Sequence, residues 1–184
     1  IKEMGFDAIW LTPIVDNPDE DFTGGDAVQW KGMFKDQGKT GYHGYWGSNF
    51  HAVDEHLPSK DLDFGALTRQ LSERGIATVL DIVGNHGSPA FGMPTVQPKY
   101  GQIFDKNGVL LADHQNLPAD KLDPAHIPLH RFYNSKTEMV QLSDLNENNP
   151  AVMDYLTGAY LQWIDQGAGA FRIAGSIQTE PDQV

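Results

Sequence analysis

Ala77-Thr78-Val79-Leu80-Asp81-Ile82-Val83, followed by Gly84-Asn85-His86, is the stretch on which the fold turns. A short apolar run rich in branched side chains, entered from Gly75 and left through Gly84, suits a strand covered on both faces, as in parallel sheets. Its only charge, Asp81, stands near the C-terminal end, and a carboxylate in such a strand needs a partner because burying it alone is costly. Two other runs have the same character: Ala8-Ile9-Trp10-Leu11-Thr12, stopped by Pro13, and Ala168 to Ile173, which carries Arg172 near its end.

Helical signals lie between these strands. Leu62, Leu67 and Leu71 have helical spacing, Asp61 and Asp63 favour the start and Gly75 the stop, which predicts a helix of about a dozen residues. Asn149 and Pro150 form an N-cap and first-turn pair, and Val152, Tyr155, Leu156, Ala159, Tyr160 and Trp163 share one helical face until Gly167. Strand, helix, strand, helix, strand with short helix-to-strand turns implies right-handed crossovers and a parallel sheet. Both long excursions, 13–61 and 84–148, leave from strand C-termini. That one-sidedness fits an α/β chain forming part of a (β/α)8 TIM barrel; a doubly wound open sheet is the alternative. Residues 16–41, rich in Asp and Gly, read as a long loop, and 87–141, with six of the eleven prolines, as an irregular inserted subdomain with short antiparallel strands. The expected division is 1–86 partial barrel, 87–141 inserted subdomain, and 142–184 continuation of the barrel with an atypical tail. Ile1 to Gly5 reads as the last turn of a helix, so the chain is expected to begin inside a larger protein.

Composition narrows the function. The 184 residues carry 25 acidic against 13 basic side chains, a net charge of −12, which repels a phosphate backbone and excludes nucleic acid as partner. No cysteine is present, so disulfides, thiolate metal sites and cysteine nucleophiles are excluded. No apolar run approaches the roughly 18 residues of a spanning helix, which excludes a membrane-spanning chain. Gly38-Lys39-Thr40 looks like the end of a phosphate loop, but the spacing from Gly32 is wrong and no strand precedes it. The histidines at 43, 51, 56, 114, 126 and 130 show no zinc-type pairing.

Four segments carry a family resemblance: Tyr42-His43-Gly44-Tyr45-Trp46, Asp81-Ile82-Val83-Gly84-Asn85-His86, Leu142-Ser143-Asp144-Leu145-Asn146 and Ala170-Phe171-Arg172-Ile173. In this order they resemble the α-amylase superfamily of glycoside hydrolases, within it the α-amylases and cyclodextrin glucanotransferases, over barrel strands two to four and the subdomain inserted after the third. The resemblance implies a retaining enzyme acting on α-1,4-glucan such as starch or maltodextrin, secreted or periplasmic. It implies that Tyr45, His86 and Arg172 bind the sugar, that Arg172 also has a catalytic part in holding and orienting the nucleophilic carboxylate two residues on, that Asp81 and Trp46 support the site, and that Asn85 and Asp144 hold a structural Ca²⁺. From the residues alone, Asp81, Asn85, His86 and Arg172 sit at strand C-termini and would converge at one mouth of a barrel. Tyr45 and Trp46 offer flat faces suited to sugar rings or to anchoring the loop; stacking is favoured for Tyr45 and anchoring for Trp46.

One position departs from the family. Where the motif has its nucleophilic aspartate, two residues after Arg172, the chain has Ala174, and Gly175-Ser176-Ile177-Gln178 abandon the pattern. A methyl group cannot form a glycosyl-enzyme bond. The 184 residues are therefore expected to be catalytically silent, with an active parent enzyme as the leading reading and a non-catalytic glucan-binding relative or an α-glucan transglycosylase as alternatives. Val140, where cyclising enzymes usually place an aromatic residue, favours a hydrolase of linear glucan.

Overall fold

Each of the first two apolar runs is followed by a helix or excursion long enough to carry the chain back to the start of the next run, so the strands pair in parallel. The computed structural model describes residues 1–24, 37–138 and 141–174. In chain order its strands are β1 (Ala8–Leu11), β2 (Val15–Asp16), β3 (Asn49–Val53), β4 (Ala77–Val83), β5 (His86–Pro89), β6 (Gln102–Phe104), β7 (Leu110–Asp113), β8 (Tyr133–Glu138), β9 (Leu142–Leu145) and β10 (Ala170–Ala174). The helices are α1 (Phe64–Glu73) and α2 (Pro150–Asp165).

The central sheet has the order β1-β4-β10, all parallel. This is a partial (β/α)8 barrel with β4 in the middle. Register sets Ala8 against Ala77 on one side of β4 and Arg172 against Asp81 on the other. The edge strands depart from the expectation of burial on both faces. Trp10 is 61% and Ile173 66% exposed; among the described residues β1 and β10 have a strand neighbour on one side only.

Both helices begin as their caps dictate. The Asp63 carboxylate accepts the Ala66 N–H at 2.7 Å, and Asn149 Oδ1 accepts the Ala151 N–H at 3.0 Å ahead of Pro150. The buried face of α2 is Val152, Leu156, Ala159 and Trp163. That of α1 is Phe64 and Thr68, not the leucines whose spacing announced the helix. The Thr68 hydroxyl bonds Gln166 O at the end of α2, and Gly167, at φ 100°, is held so close that a Cβ there would lie 2.5 Å from it. The main core joins Leu80, Phe50, Phe64, Val152, Leu156 and Trp163.

One strand pair was not legible in the sequence, while the short antiparallel strands expected in the excursion are present. β2 pairs antiparallel with β3, so the segment read as loop from residue 16 begins in a short strand; residues 25–36 and Gly32 with them lie outside the described residues. The excursion holds an antiparallel sheet of order β5-β9-β8 and a hairpin of β6 and β7. A second core of Phe22, Trp46, Met93, Tyr100 and Leu142 joins it to the loops above β1. Among the described residues no helix is long and apolar enough to cross a membrane.

Candidate functional site

Parallel register brings the first pair together. Arg172 stands opposite Asp81, and its Nη1 lies 3.2 and 3.1 Å from the two carboxylate oxygens. The Asp81 side chain is fully buried and the Arg172 side chain half exposed, so the guanidinium closes the carboxylate off from water while facing solvent itself. The Trp10 ring, 5.2 Å from the guanidinium carbon, supplies a cation–π contact on its other side.

The third member comes from far along the chain. Tyr45 OH donates to Asp81 Oδ2 at 2.7 Å. It reaches there because Gly44, at φ 84°, packs on the end of β1 so tightly that a Cβ would sit 2.2 Å from Pro13 O. Burial, then the bond to the Asp81 carboxylate, push the Tyr45 phenol above its ordinary pKa. His86, the first residue of β5, is buried and its Nε2 lies 3.2 Å from Tyr45 O. A carbonyl only accepts, so Nε2 carries the proton. Burial lowers the His86 pKa to about 4 and leaves the ring neutral near pH 7, with Nδ1 buried and without a partner. Tyr45, Asp81, His86 and Arg172 thus form one hydrogen-bonded group at the C-terminal ends of β4 and β10. Beneath it, Leu80, Ile82, Phe50 and Tyr160 line a cavity of about 10 Å³, room for no more than a water.

Trp46 turns away from this group. It is buried in the second core and meets His43 edge-on at 4.8 Å. Asn85 and Asp144 lie side by side: Asp144 pairs with His86 across β5 and β9, and Leu145 N donates to Asn85 O at 3.0 Å. Beside Asp144, the Asn134 amide nitrogen lies 2.9 Å from Asp144 Oδ2, 3.1 Å from Leu145 O and 3.1 Å from Glu147 Oε2. Three oxygens thus converge on a group with two hydrogens, an oxygen-rich corner suited to a hard cation. Ala174 is paired with Val83 at the end of β10. Val140 and the tail from Gly175 lie outside the described residues.

Sequence reasoning missed three polar groups. Asn17, only 2% exposed, accepts the Trp46 N–H at 2.7 Å; the Asn17-Pro18 pair had been absorbed into a loop by its composition. Asn134 gave no signal beyond its type. Lys99, in a left-handed backbone conformation at φ 66°, places its ammonium 2.8 Å from Asp16 and 3.5 Å from both Asp19 and Glu55. The ligand atoms of Asp16, Asp54 and Glu55, and those of Asp19, Glu55 and His56, lie within 4.8 Å of one another. Lys99 already supplies a positive charge there. A cavity of about 200 Å³ nearby is lined by Thr12, Pro13, Asn17, Tyr42, Asp54 and His56 among others.

Comparison with known proteins gives this geometry its context. The chain is 31% identical over 181 residues to a cyclomaltodextrin glucanotransferase of Klebsiella oxytoca, covering 94% of this chain and 25% of that protein. It is 27% identical to an alpha-amylase of Niallia circulans over 92% of this chain and 30% of that protein. Among solved structures, a cyclomaltodextrin glucanotransferase with a three-domain ABC distribution superposes with a TM-score of 0.66 at 29% identity, over 94% of this chain and 33% of that one. An alpha-amylase from Geobacillus thermoleovorans complexed with acarbose gives 0.53 at 26% identity, over 94% and 31%. The chain spans about a quarter to a third of the length of these relatives. The family model described as alpha amylase, catalytic domain, matches residues 1–109, more than half of the 184. With that match, the parallel sheet and the strand-end cluster, the chain belongs to the α-amylase catalytic-domain family.

Proposed function

We propose that the chain is the α-glucan-binding portion of a retaining α-1,4-glucan enzyme, with Tyr45, His86 and Arg172 as the sugar-contacting residues and Asp81 and Trp46 as their supports. The observation that carries this is the Tyr45–Asp81–Arg172 group with His86 on the Tyr45 carbonyl, at the strand ends where barrel enzymes place their sites. Tyr45 offers a ring face and His86 a neutral imidazole beside it, the mixture of apolar surface and fixed polar groups that sugars require. Hydrolysis and transfer share the covalent glycosyl intermediate and differ in the acceptor, so both belong to the same reading. In this reading residues 1–86 and 142–184 form the barrel part and 87–141 the inserted subdomain, and the protein is secreted or periplasmic, where polymeric glucan is met.

Asn85 and Asp144 would hold a structural Ca²⁺ where the excursion meets the barrel strands. The oxygen donors around Asp144 fit such a hard ion. When bound, the ion supplies fixed positive charge that ties β5 to β9; the sugar contacts remain the work of the protein side chains.

A second reading, binding without cleavage, is favoured by Ala174: the carboxylate position after Arg172 holds a methyl group, and both carboxylate oxygens of Asp81 take the Arg172 guanidinium instead. Calorimetry with maltoheptaose and a reducing-sugar assay on soluble starch test both readings. Binding without turnover by the 184 residues is expected; no binding would overturn the glucan site, and sustained hydrolysis would overturn the silence assigned to Ala174.

A further inference from the structure

We propose that Asn17 is a positioning residue for the sugar site, acting through the Tyr45–Trp46 peptide to fix the tautomer and orientation of His86. The two ends of that one peptide group are both engaged. Its N–H, on Trp46, donates to Asn17 Oδ1 at 2.7 Å, and its carbonyl, on Tyr45, accepts from His86 Nε2 at 3.2 Å. A line of hydrogen bonds therefore runs from Asn17 through the peptide to His86. Each bond polarises the next: an acceptor on the N–H makes the carbonyl a stronger acceptor, which holds the proton on Nε2 and leaves Nδ1 as the bare nitrogen.

Asn17 is itself built to act as a fixed post. Its Nδ2 donates to Val15 O at 2.6 Å and its backbone N–H to Asp54 Oδ2 at 3.3 Å. Gly41 lets the chain pass close beside it: a Cβ at 41 would lie 2.8 Å from the Asn17 Cβ and 3.3 Å from its Oδ1. An apolar side chain here would leave the Trp46 N–H and Val15 O unpaired in a buried place, and the peptide would be free to rotate. The Tyr45 ring, whose hydroxyl meets Asp81, hangs from the Cα next to this peptide, so rotation of the peptide would move two of the three proposed sugar contacts, Tyr45 and His86, at once. Nothing in the sequence pattern marks this role, because Asn17 and His86 are distant in the chain and meet only through the returning loop.

The proposal rests on the glucan reading for its purpose but not for its geometry, and the test separates the two. The 184-residue protein, labelled with ¹⁵N-histidine, is examined at pH 7 for the His86 ring tautomer, and maltoheptaose affinity is measured in parallel for wild type, Asn17→Ala and Asn17→Asp. Wild type is expected to show a single Nε2–H tautomer. Asn17→Asp, which keeps the acceptor for Trp46 but loses the donor to Val15 O, should retain the tautomer at reduced folding stability, whereas Asn17→Ala should show mixed tautomers and about tenfold weaker maltoheptaose binding. Unchanged His86 signals in folded Asn17→Ala overturn the proposal. Failure of wild type to bind maltoheptaose, with the tautomer still lost in Asn17→Ala, overturns the glucan reading and supports the positioning role. Should Asn17→Ala not fold, hydrogen exchange at the Trp46 amide decides: protection in wild type and Asn17→Asp supports the bond, and exchange at open-loop rates in folded wild type overturns it.

Discussion

Replacing Tyr45 by phenylalanine removes one oxygen atom and leaves the ring in place. The lost contact is the 2.7 Å bond from the phenol to Asp81 Oδ2, on a carboxylate whose side chain is fully buried. Hydrogen bonds to charged groups contribute about 1.5–3 kcal/mol, and water cannot readily replace this donor. Arg172 Nη1, 3.1 Å from the same oxygen, keeps the carboxylate from being orphaned. The loss is therefore expected near the lower end, about 1.5–2 kcal/mol of folding stability. Urea denaturation at pH 7, followed by the fluorescence of the four tryptophans, measures it. A double-mutant cycle with Arg172→Met sharpens the test. With both donors gone the buried charge loses the bonds from Tyr45 and Arg172 together, so the double variant should lose at least about 1 kcal/mol more than the sum of the singles. A Tyr45→Phe protein within about 0.3 kcal/mol of wild type, or additivity within that margin, would refute the picture of a shared buried carboxylate.

Acid should weaken the fold through His114, which is fully buried, donates from Nδ1 to Leu117 O and has its pKa lowered by burial from 6.5 to about 4. Its neutral form is favoured in the fold, so this stability is full above pH 6.5 and lost as pH falls towards 4, about 3 kcal/mol in all; urea midpoints from pH 7 to 4 should fall less steeply in His114→Gln. Lys99→Met leaves Asp16, Asp19 and Glu55 facing one another and should cost about 1 kcal/mol, with the deficit shrinking at high salt. Because burial raises the Asp16 pKa, mild acidification should recover part of that loss, and melting temperatures at pH 7 and 5 check it. If Ca²⁺ binds at Asn85 and Asp144, chelation should lower the melting temperature of wild type and leave Asp144→Asn unchanged; equal responses would remove the ion from that place.

The parallel sheet was readable because its signals are local in sequence: each of its runs is continuous, and Asp63 and Asn149 each start a helix by accepting an N–H two or three residues on. The Asp81–Arg172 pair was half readable, since strand order and register follow from the crossovers and the two charges stand near corresponding strand ends. The buried face of α1 was not, because Thr68 earns its place through a bond to Gln166 O, 98 residues away. The exposure of Trp10 was equally hidden, as burial on both faces assumes neighbours that the described residues do not supply. Asn17 and Lys99 escaped because Trp46 and Asp16 reach them only after a long excursion returns, and Asn134 because it meets Asp144 through the pairing of β8 with β9; all three residue types are ordinary in loops.

The second core has a consequence for how such a chain can be rearranged. Phe22 and Trp46 on one side and Met93, Tyr100 and Leu142 on the other make a single patch of apolar packing, so neither segment finishes its own interior. Grafting residues 87–141 from a relative, without the matching turn at 41–47, would uncover Trp46 and slacken the loop that delivers Tyr45. The heritable module here is a pair of distant segments, and exchange between relatives should succeed when both travel together.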